Sequence, residues 1–224
     1  MGDTILEIQT AELLAIVAKP IHCNWSLLRS LSHQEVEVRR GDMPVAAGNQ
    51  YCFLVLEGTL RIWRPLANGR RQITAFAFPG DWVGFDDAGE VNSCVEAVTP
   101  VRAERHLLRN LQMAAAADAA VAEALRDLLR SRIRAAQRRI LVLGCKNTRE
   151  KLASFILEMS NRLADGGDMV PLPMSRHDIA DYLGVSHETA CRNFSHLVAD
   201  QMIALPAPNQ MHVLQRGNLE FIAV

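Results

Sequence analysis

Between residues 34 and 104 the hydrophobic positions come in short runs: VEVRRGD, YCFLVLEG, TLRIWRPL, RRQITAFAFPGD and CVEAVTPV. Alternating or clustered β-branched and aromatic residues bounded by turn residues read as strands. Asn68-Gly69 is a hairpin turn pair, and Pro79-Gly80-Asp81 is a second break. Gly58, Gly69 and Gly80 recur every eleven residues, the regular spacing of an antiparallel sandwich or barrel. This half predicts a small all-β domain. At about residue 107 the period changes. LLRNLQMAAAADAAVAEALRDLLRSRIRAAQRRILVLG has no proline, and no glycine before Gly144. Its Ala, Leu and Arg content predicts one long helix. Leu125, Leu129, Ile133, Ala136, Ile140 and Leu143 recur at steps of four and three, a narrow apolar seam, while arginines at 126, 130, 134 and 138 occupy other faces. Such a seam packs on its own domain or pairs with a twin, and the polar flanks favour a coiled-coil homodimer.

A third pattern follows. NTREKLASFILEMSNRLADGG is an amphipathic helix with Leu152, Phe155, Ile156, Met159 and Leu163 on one side. Ser175 with Asp178 is a helix-start signature, and Ile179, Ala180 and Leu183 form the apolar face behind it. Gly184 breaks that helix and Ser186 caps the next, from which Phe194, Leu197 and Val198 turn inward. Ile203-Ala204-Leu205 and Met211-His212-Val213-Leu214, joined through Pro-Ala-Pro-Asn, predict a two-stranded hairpin. The expected fold is α+β in three segments. Residues 1–107 form a helical lead-in and antiparallel β-roll, 108–144 a long dimerisation helix, and 145–224 a winged helix-turn-helix.

In a winged helix-turn-helix the first residues of the second helix meet base edges in the DNA major groove. Here that helix opens with VSHETACRNF. Glu188 and Arg192, four apart, share a face near its N-terminal end. Arginine bonds guanine O6 and N7 together and glutamate accepts from cytosine N4, so the pair can read one G·C pair from both sides. The competing reading is a surface ion pair worth about 0.2–0.5 kcal/mol to the helix.

Composition adds bounds. The chain has 224 residues, 49% hydrophobic and 22% charged, with a net charge of −1, as in a globular protein with a real core. From residue 145 onward seven basic residues face nine acidic ones, so the expected DNA-binding segment is not basic. Backbone amides at helix starts are then the expected phosphate donors. The N-terminus lacks a cationic, unbroken apolar leader and no run is long enough to span a membrane, so cytoplasm is expected. The five cysteines at 23, 52, 94, 145 and 191 are scattered and form no CxxC, which argues against disulfides and metal cradles. All but Cys191 are expected to be small buried hydrophobes. No HxH spacing occurs in residues 34 to 104, so no metal and no cupin-type enzyme is expected.

The chain resembles the Crp–Fnr superfamily of bacterial transcription regulators, most closely its FixK branch. GRRQITAFAFPGDWVGFD is similar to the family's cyclic-nucleotide-binding-like β-roll. The run from Gln137 to Gly144 with TREKLASFILEM is similar to its dimer helix and hinge, and LPMSRHDIADYLGVSHETACR to its DNA-binding signature. The resemblance implies a non-enzymatic homodimer on a double-stranded TTGA…TCAA-type palindrome, contacting RNA polymerase. It places base reading on Glu188 and Arg192, with His187 and Cys191 beside them, and phosphate contacts on Ser175, Arg176, Ser186 and Thr189. Two departures bear on the outer bases of the half-site: Cys191 stands where many Fnr-type relatives carry serine, and His187 where they carry an apolar residue.

The family's cyclic-nucleotide binders share a Gly-Glu-Leu run followed by an arginine that pairs the phosphate. Here the stretch is GFDDAGEVNSCVEA, with Asp86, Asp87 and Glu90 repelling a phosphate and no arginine between 72 and 101. Cys23 alone, or as a His22-Cys23 pair, makes no iron–sulfur cluster or heme site of the family's type. An effector-independent regulator of low-oxygen and nitrogen-metabolism genes is therefore expected, with no cofactor. The alternative is a sensor of the same fold gated by heme, nitric oxide or a nucleotide. Cys191, expected beside an arginine on the DNA side, is a candidate redox brake.

Overall fold

The computed structural model describes residues 25–43, 50–85, 93–164 and 166–223. His22, Cys23, Asp86, Asp87 and Glu90 lie outside the described residues. The described residues divide into two compact units, one up to Arg134 and the other from Ala135 onward.

The first unit holds two antiparallel sheets. One has the order β1 (Gln34–Val38), β7 (Val101–Leu107), β2 (Tyr51–Glu57), β5 (Trp82–Val83); the other runs β4 (Arg71–Ala77), β3 (Leu60–Pro65), β6 (Cys94–Ala97). Phe53, Val55, Val83, Val101 and Ala103 from the first sheet meet Leu60, Ile62, Ala77, Val95 and Ala97 from the second in one core. The outer face of the four-stranded sheet is covered as well. There Cys52, Leu54 and Trp82 pack with Leu28 of α1 (Trp25–Arg29), Leu111 of α2 (Leu108–Ala117), and Val121, Ala124 and Leu128 of α3 (Ala119–Cys145). This explains the unbroken run YCFLVLE: alternate residues of a strand leave opposite faces, and both faces of β2 are dry. Burial pushes the Cys52 thiol up to about 12, so it is an inert core residue. Cys94 is only half-buried and Cys145 is exposed, contrary to expectation.

The expected single long helix is broken. Asp118 is extended, at φ −132° and ψ 118°, and its carboxylate accepts a 2.7 Å hydrogen bond from the Ala120 amide. An aspartate that offers its side chain to the backbone starts a new helix more readily than it continues an old one. Of the apolar seam, Leu125 packs into its own core. Ala136 is exposed and Leu143 half-buried, while Leu129, Ile133 and Ile140 remain 41%, 59% and 68% exposed.

The second unit is built on α4 (Thr148–Leu163), whose Leu152, Phe155, Ile156 and Met159 are buried as their spacing predicts. Asn147 and Glu150 close a capping box at its start. α5 (Arg176–Leu183) and α6 (His187–Ala199) follow, then the wing. The wing has three strands rather than two, in the order β8 (Met169–Pro171), β10 (Gln210–Val213), β9 (Ile203–Ala207). A closing helix, α7 (Arg216–Ile222), was also unanticipated and buries Leu219. Among the described residues no helix is long and apolar enough to cross a membrane.

Turn glycines hold the first unit in register. Gly58 has φ +86°, and a Cβ there would lie 2.1 Å from the Pro100 carbonyl oxygen; Gly69 has φ +77° but open space around it. Gly58→Ala is expected to destabilise this unit by about 3 kcal/mol or more, from left-handed strain and overpacking together. Gly69→Ala pays only the strain, about 1–2 kcal/mol. Urea unfolding followed by tryptophan fluorescence checks this, because Trp25, Trp63 and Trp82 all fall in this unit.

Candidate nucleic-acid interface

The helix-turn-helix is set by its caps. The Ser175 hydroxyl accepts from the Asp178 amide and donates to Asp178 Oδ2 at 2.8 Å, while that carboxylate also accepts from the Ser175 amide. Asp178 is buried, so this box is a satisfied core feature as well as a cap. Gly184 then takes the left-handed conformation, φ 66°, which lets the chain turn within two residues to the next cap. Ser186 Oγ accepts from the Thr189 amide at 3.2 Å and donates to Thr189 Oγ1 at 3.0 Å.

One face of α6 is fixed inward by Ala190, Phe194 and Leu197, all buried. Positions two residues away lie roughly 200° around the helix, on the opposite face. Glu188, Arg192 and Ser195 therefore face solvent, and all three are exposed. Ser195 completes this face and was missed in the sequence, although its three-residue step from Arg192 was a usable signal. Glu188 sits in the first turn, where its own backbone amide and the Ser186 hydroxyl hold its carboxyl below the usual carboxylate range. Among the described residues no ion pair joins Glu188 to Arg192.

His187 and Cys191, one turn apart, are half-buried and touch: Cys191 Sγ lies 3.5 Å from His187 Nε2. The His187 ring stacks on His177 of α5 at 3.9 Å, nearly parallel. Arg192, the arginine expected beside Cys191, is exposed, while Cys191 is half-buried. Arg176 lays its guanidinium over the Phe194 ring at 3.7 Å, and burial lowers its pKa, though an arginine remains a cation. The eight expected residues thus gather at the starts of two packed helices. Ser175 and Arg176 open α5; Ser186, His187, Glu188, Thr189, Cys191 and Arg192 span the cap and first turns of α6.

A further buried contact joins α3 to this motif. Arg139 lies 3.4 Å over the ring of Tyr182, whose hydroxyl donates to Glu158 Oε2 at 3.0 Å. Nothing in the arginine-rich run distinguished Arg139 from its neighbours.

Residues 150–222 match the Crp-like helix-turn-helix domain family, and residues 35–103 the cyclic nucleotide-binding domain family. The chain is 34% identical over 183 residues to the nitrogen fixation regulation protein FixK of Azorhizobium caulinodans, covering 80% of this chain and 73% of that one. It is 36% identical over 160 residues to FixK of Rhizobium meliloti, covering 70% and 71%. Among solved structures, FixK2 from Bradyrhizobium japonicum superposes with a TM-score of 0.82 at 33% identity, covering 87% of this chain and 98% of that one. A CooA mutant from Carboxydothermus hydrogenoformans, at 15% identity and a TM-score of 0.72 over 89% and 90% of the two chains, shares the fold. The chain belongs to the Crp–Fnr family, in its FixK-like branch: it is a DNA-binding transcription regulator and not an enzyme.

Proposed function

We propose that the protein acts as a homodimer on a TTGA…TCAA-type palindrome, without a small-molecule effector, and engages RNA polymerase at promoters of low-oxygen and nitrogen-metabolism genes. The observation that carries this reading is the outward face of α6. There Glu188 and Arg192 stand exposed one turn apart, aimed by the Ser186 cap and the buried Ala190–Phe194–Leu197 face. An arginine so placed can hold guanine in two bonds while the glutamate accepts from the paired cytosine. Ser175, Arg176, Ser186 and Thr189 flank this face at helix starts, where free backbone amides suit phosphates. The nitrogen-fixation regulators that the chain resembles support the choice of target genes.

Dimerisation rests on α3. Leu129, Ile133 and Ile140 are exposed in the single chain along a helix whose other faces carry Arg126 and Arg130, paired with Glu123 and Asp127. A second copy of the same helix covers such a seam and places two α6 helices on the two half-sites.

Cys191 adds a redox brake. Its thiolate attacks peroxide; the S–O bond forms as the O–O bond breaks, hydroxide leaves, and a sulfenic acid results. A second peroxide carries it to a sulfinate. The added charge then opposes the phosphates.

Three outcomes test this reading. Arg192→Ala and Glu188→Ala should each weaken binding to a labelled TTGA…TCAA duplex by roughly 1–3 kcal/mol while sparing binding to a scrambled duplex, measured by fluorescence anisotropy. Ile133→Glu should cost the dimer about 3 kcal/mol or more, since two isoleucine side chains lose burial worth ~1.5–3 kcal/mol each; light scattering would then show a monomer. Peroxide should abolish specific binding by the unsubstituted protein and leave Cys191→Ser unaffected. Equal loss in both would end the redox brake.

A further inference from the structure

Glu104 and His106 stand two residues apart on β7, so both side chains leave the same face of the sheet. That face is the covered outer one: opposite them on β2 are Leu54 and Cys52, and the Trp82 ring lies 4.8 Å from the imidazole. His33 immediately precedes β1, whose Gln34 pairs with Arg105. The register therefore brings three residues together, and one ligand atom from each of His33, Glu104 and His106 lies within 4.8 Å of the others.

This cluster is incompletely satisfied. Glu104 and His106 are 2% and 1% exposed. Glu104 Oε1 accepts from Arg29, at 3.1 Å from Nε and 2.7 Å from Nη2. Among the described residues, Glu104 Oε2 and both ring nitrogens of His106 have no hydrogen-bond partner. Buried polar atoms left in that state are costly, and each calls for an occupant. His106 Nε2 and Glu104 Oε2 lie 3.5 Å apart, too far for a good hydrogen bond. Ligand atoms on a tetrahedral zinc with bonds of ~2.0–2.2 Å sit about 3.3–3.6 Å from one another.

The remaining features also suit a cation. His33 Nδ1 lies 3.0 Å from the Leu31 carbonyl oxygen. A carbonyl only accepts, so Nδ1 donates and the Nε2 lone pair is free in the neutral ring. Arg29 holds the Glu104 carboxylate from one side, through two hydrogen bonds to Oε1. Arg29 thus acts as a positioning residue: it occupies one carboxylate oxygen and leaves the other for a ligand.

We propose that His33, Glu104 and His106 form a zinc site on the covered face of the β-roll. Two imidazole nitrogens and one carboxylate oxygen are a borderline donor set that suits zinc and excludes the all-oxygen preference of calcium and magnesium. The exposed side of His33 leaves the fourth position to water. The missing HxH spacing in residues 34 to 104 pointed away from a metal. The site is built instead from a Glu-x-His pair that ends just beyond that window and a histidine just before it. Bound zinc ties the segment ahead of β1 to β7, independently of the α6 surface.

The test is a zinc titration of the reduced, chelator-stripped full-length protein against a chromophoric chelator, with bound metal counted after dialysis. Four proteins are compared: unsubstituted, His33→Ala, Glu104→Gln and Cys191→Ser. His33 is exposed, so its truncation should leave the fold intact, which tryptophan fluorescence verifies. One zinc per chain is expected, with affinity reduced about tenfold or more in His33→Ala and Glu104→Gln, and unchanged in Cys191→Ser. Absence of stoichiometric zinc overturns the proposal, as does undiminished binding by His33→Ala. Loss of zinc in Cys191→Ser also overturns it, by assigning the metal to the His187–Cys191 pair.

Discussion

β2 and its neighbour β7 in the four-stranded sheet bury residues on both faces, and the first unit depends on that constraint. Phe53 and Val55 fill the space between the sheets while Cys52 and Leu54 meet the helices on the other side. Neither face can tolerate an unpaired polar group, because desolvation costs about 1–3 kcal/mol when no partner replaces water. β7 obeys the rule with Val101 and Ala103 on the inner face, then breaks it with Glu104 and His106 on the outer. A carboxylate and an imidazole in such a place are an expense that packing alone does not justify. Arg29 satisfies one of the carboxylate's two oxygens. The remainder is what makes this spot chemically conspicuous.

The second unit solves a different problem: how to present polar side chains outward at a fixed angle. Its answer is a helix clamped by its inner face and by its caps. Ser175 and Asp178 fix where α5 starts, Gly184 fixes the turn, and Ser186 fixes where α6 starts. Phe194 is gripped between the core and the Arg176 guanidinium, and His187 between His177 and Cys191. The exposed residues make few contacts of their own; their direction is inherited from the buried ones. A change that loosened Ala190 or Phe194 would therefore redirect the proposed base-reading residues without touching them.

Where a feature depends on neighbours in the chain, it was legible. The capping residues, Gly184, the apolar face of α4 and the strands β1–β4 all follow from spacing and turn chemistry within a few residues. What the sequence concealed depends on distant partners. β5 is two residues long and exists because β2 pairs with it. β8 contains Pro171 and is a strand because β10 supplies the other edge. α7 carries a glycine in its first turn and is held by the burial of Leu219 and by Arg216 bonded to Ser160 and Asn161 of α4. The break at Asp118 is the reverse case: helix propensity summed over the alanine-rich run hid one residue whose side chain prefers a cap. His33, Glu104 and His106 became neighbours only through the β1–β7 register, which no local pattern encodes.

Charge presents the sharpest constraint on how the second unit meets DNA. From residue 145 onward it carries more acidic than basic residues, and several of its cations are committed internally. Arg149 pairs with Asp200 at 2.7 Å, Arg216 with Glu220 at 2.9 Å, and Lys146 donates to Ser154. Arg176 spends its guanidinium face on Phe194. Little side-chain charge is left to attract phosphates without regard to sequence, which is the term that dominates non-specific binding. The amides at the starts of α5 and α6 carry oriented partial charge and can hold phosphates only in one register. With Glu188 and Arg192 in the proposed base-reading role, affinity is weighted toward the correct bases, so that the acidic balance of this unit serves discrimination between sites more than attraction to DNA.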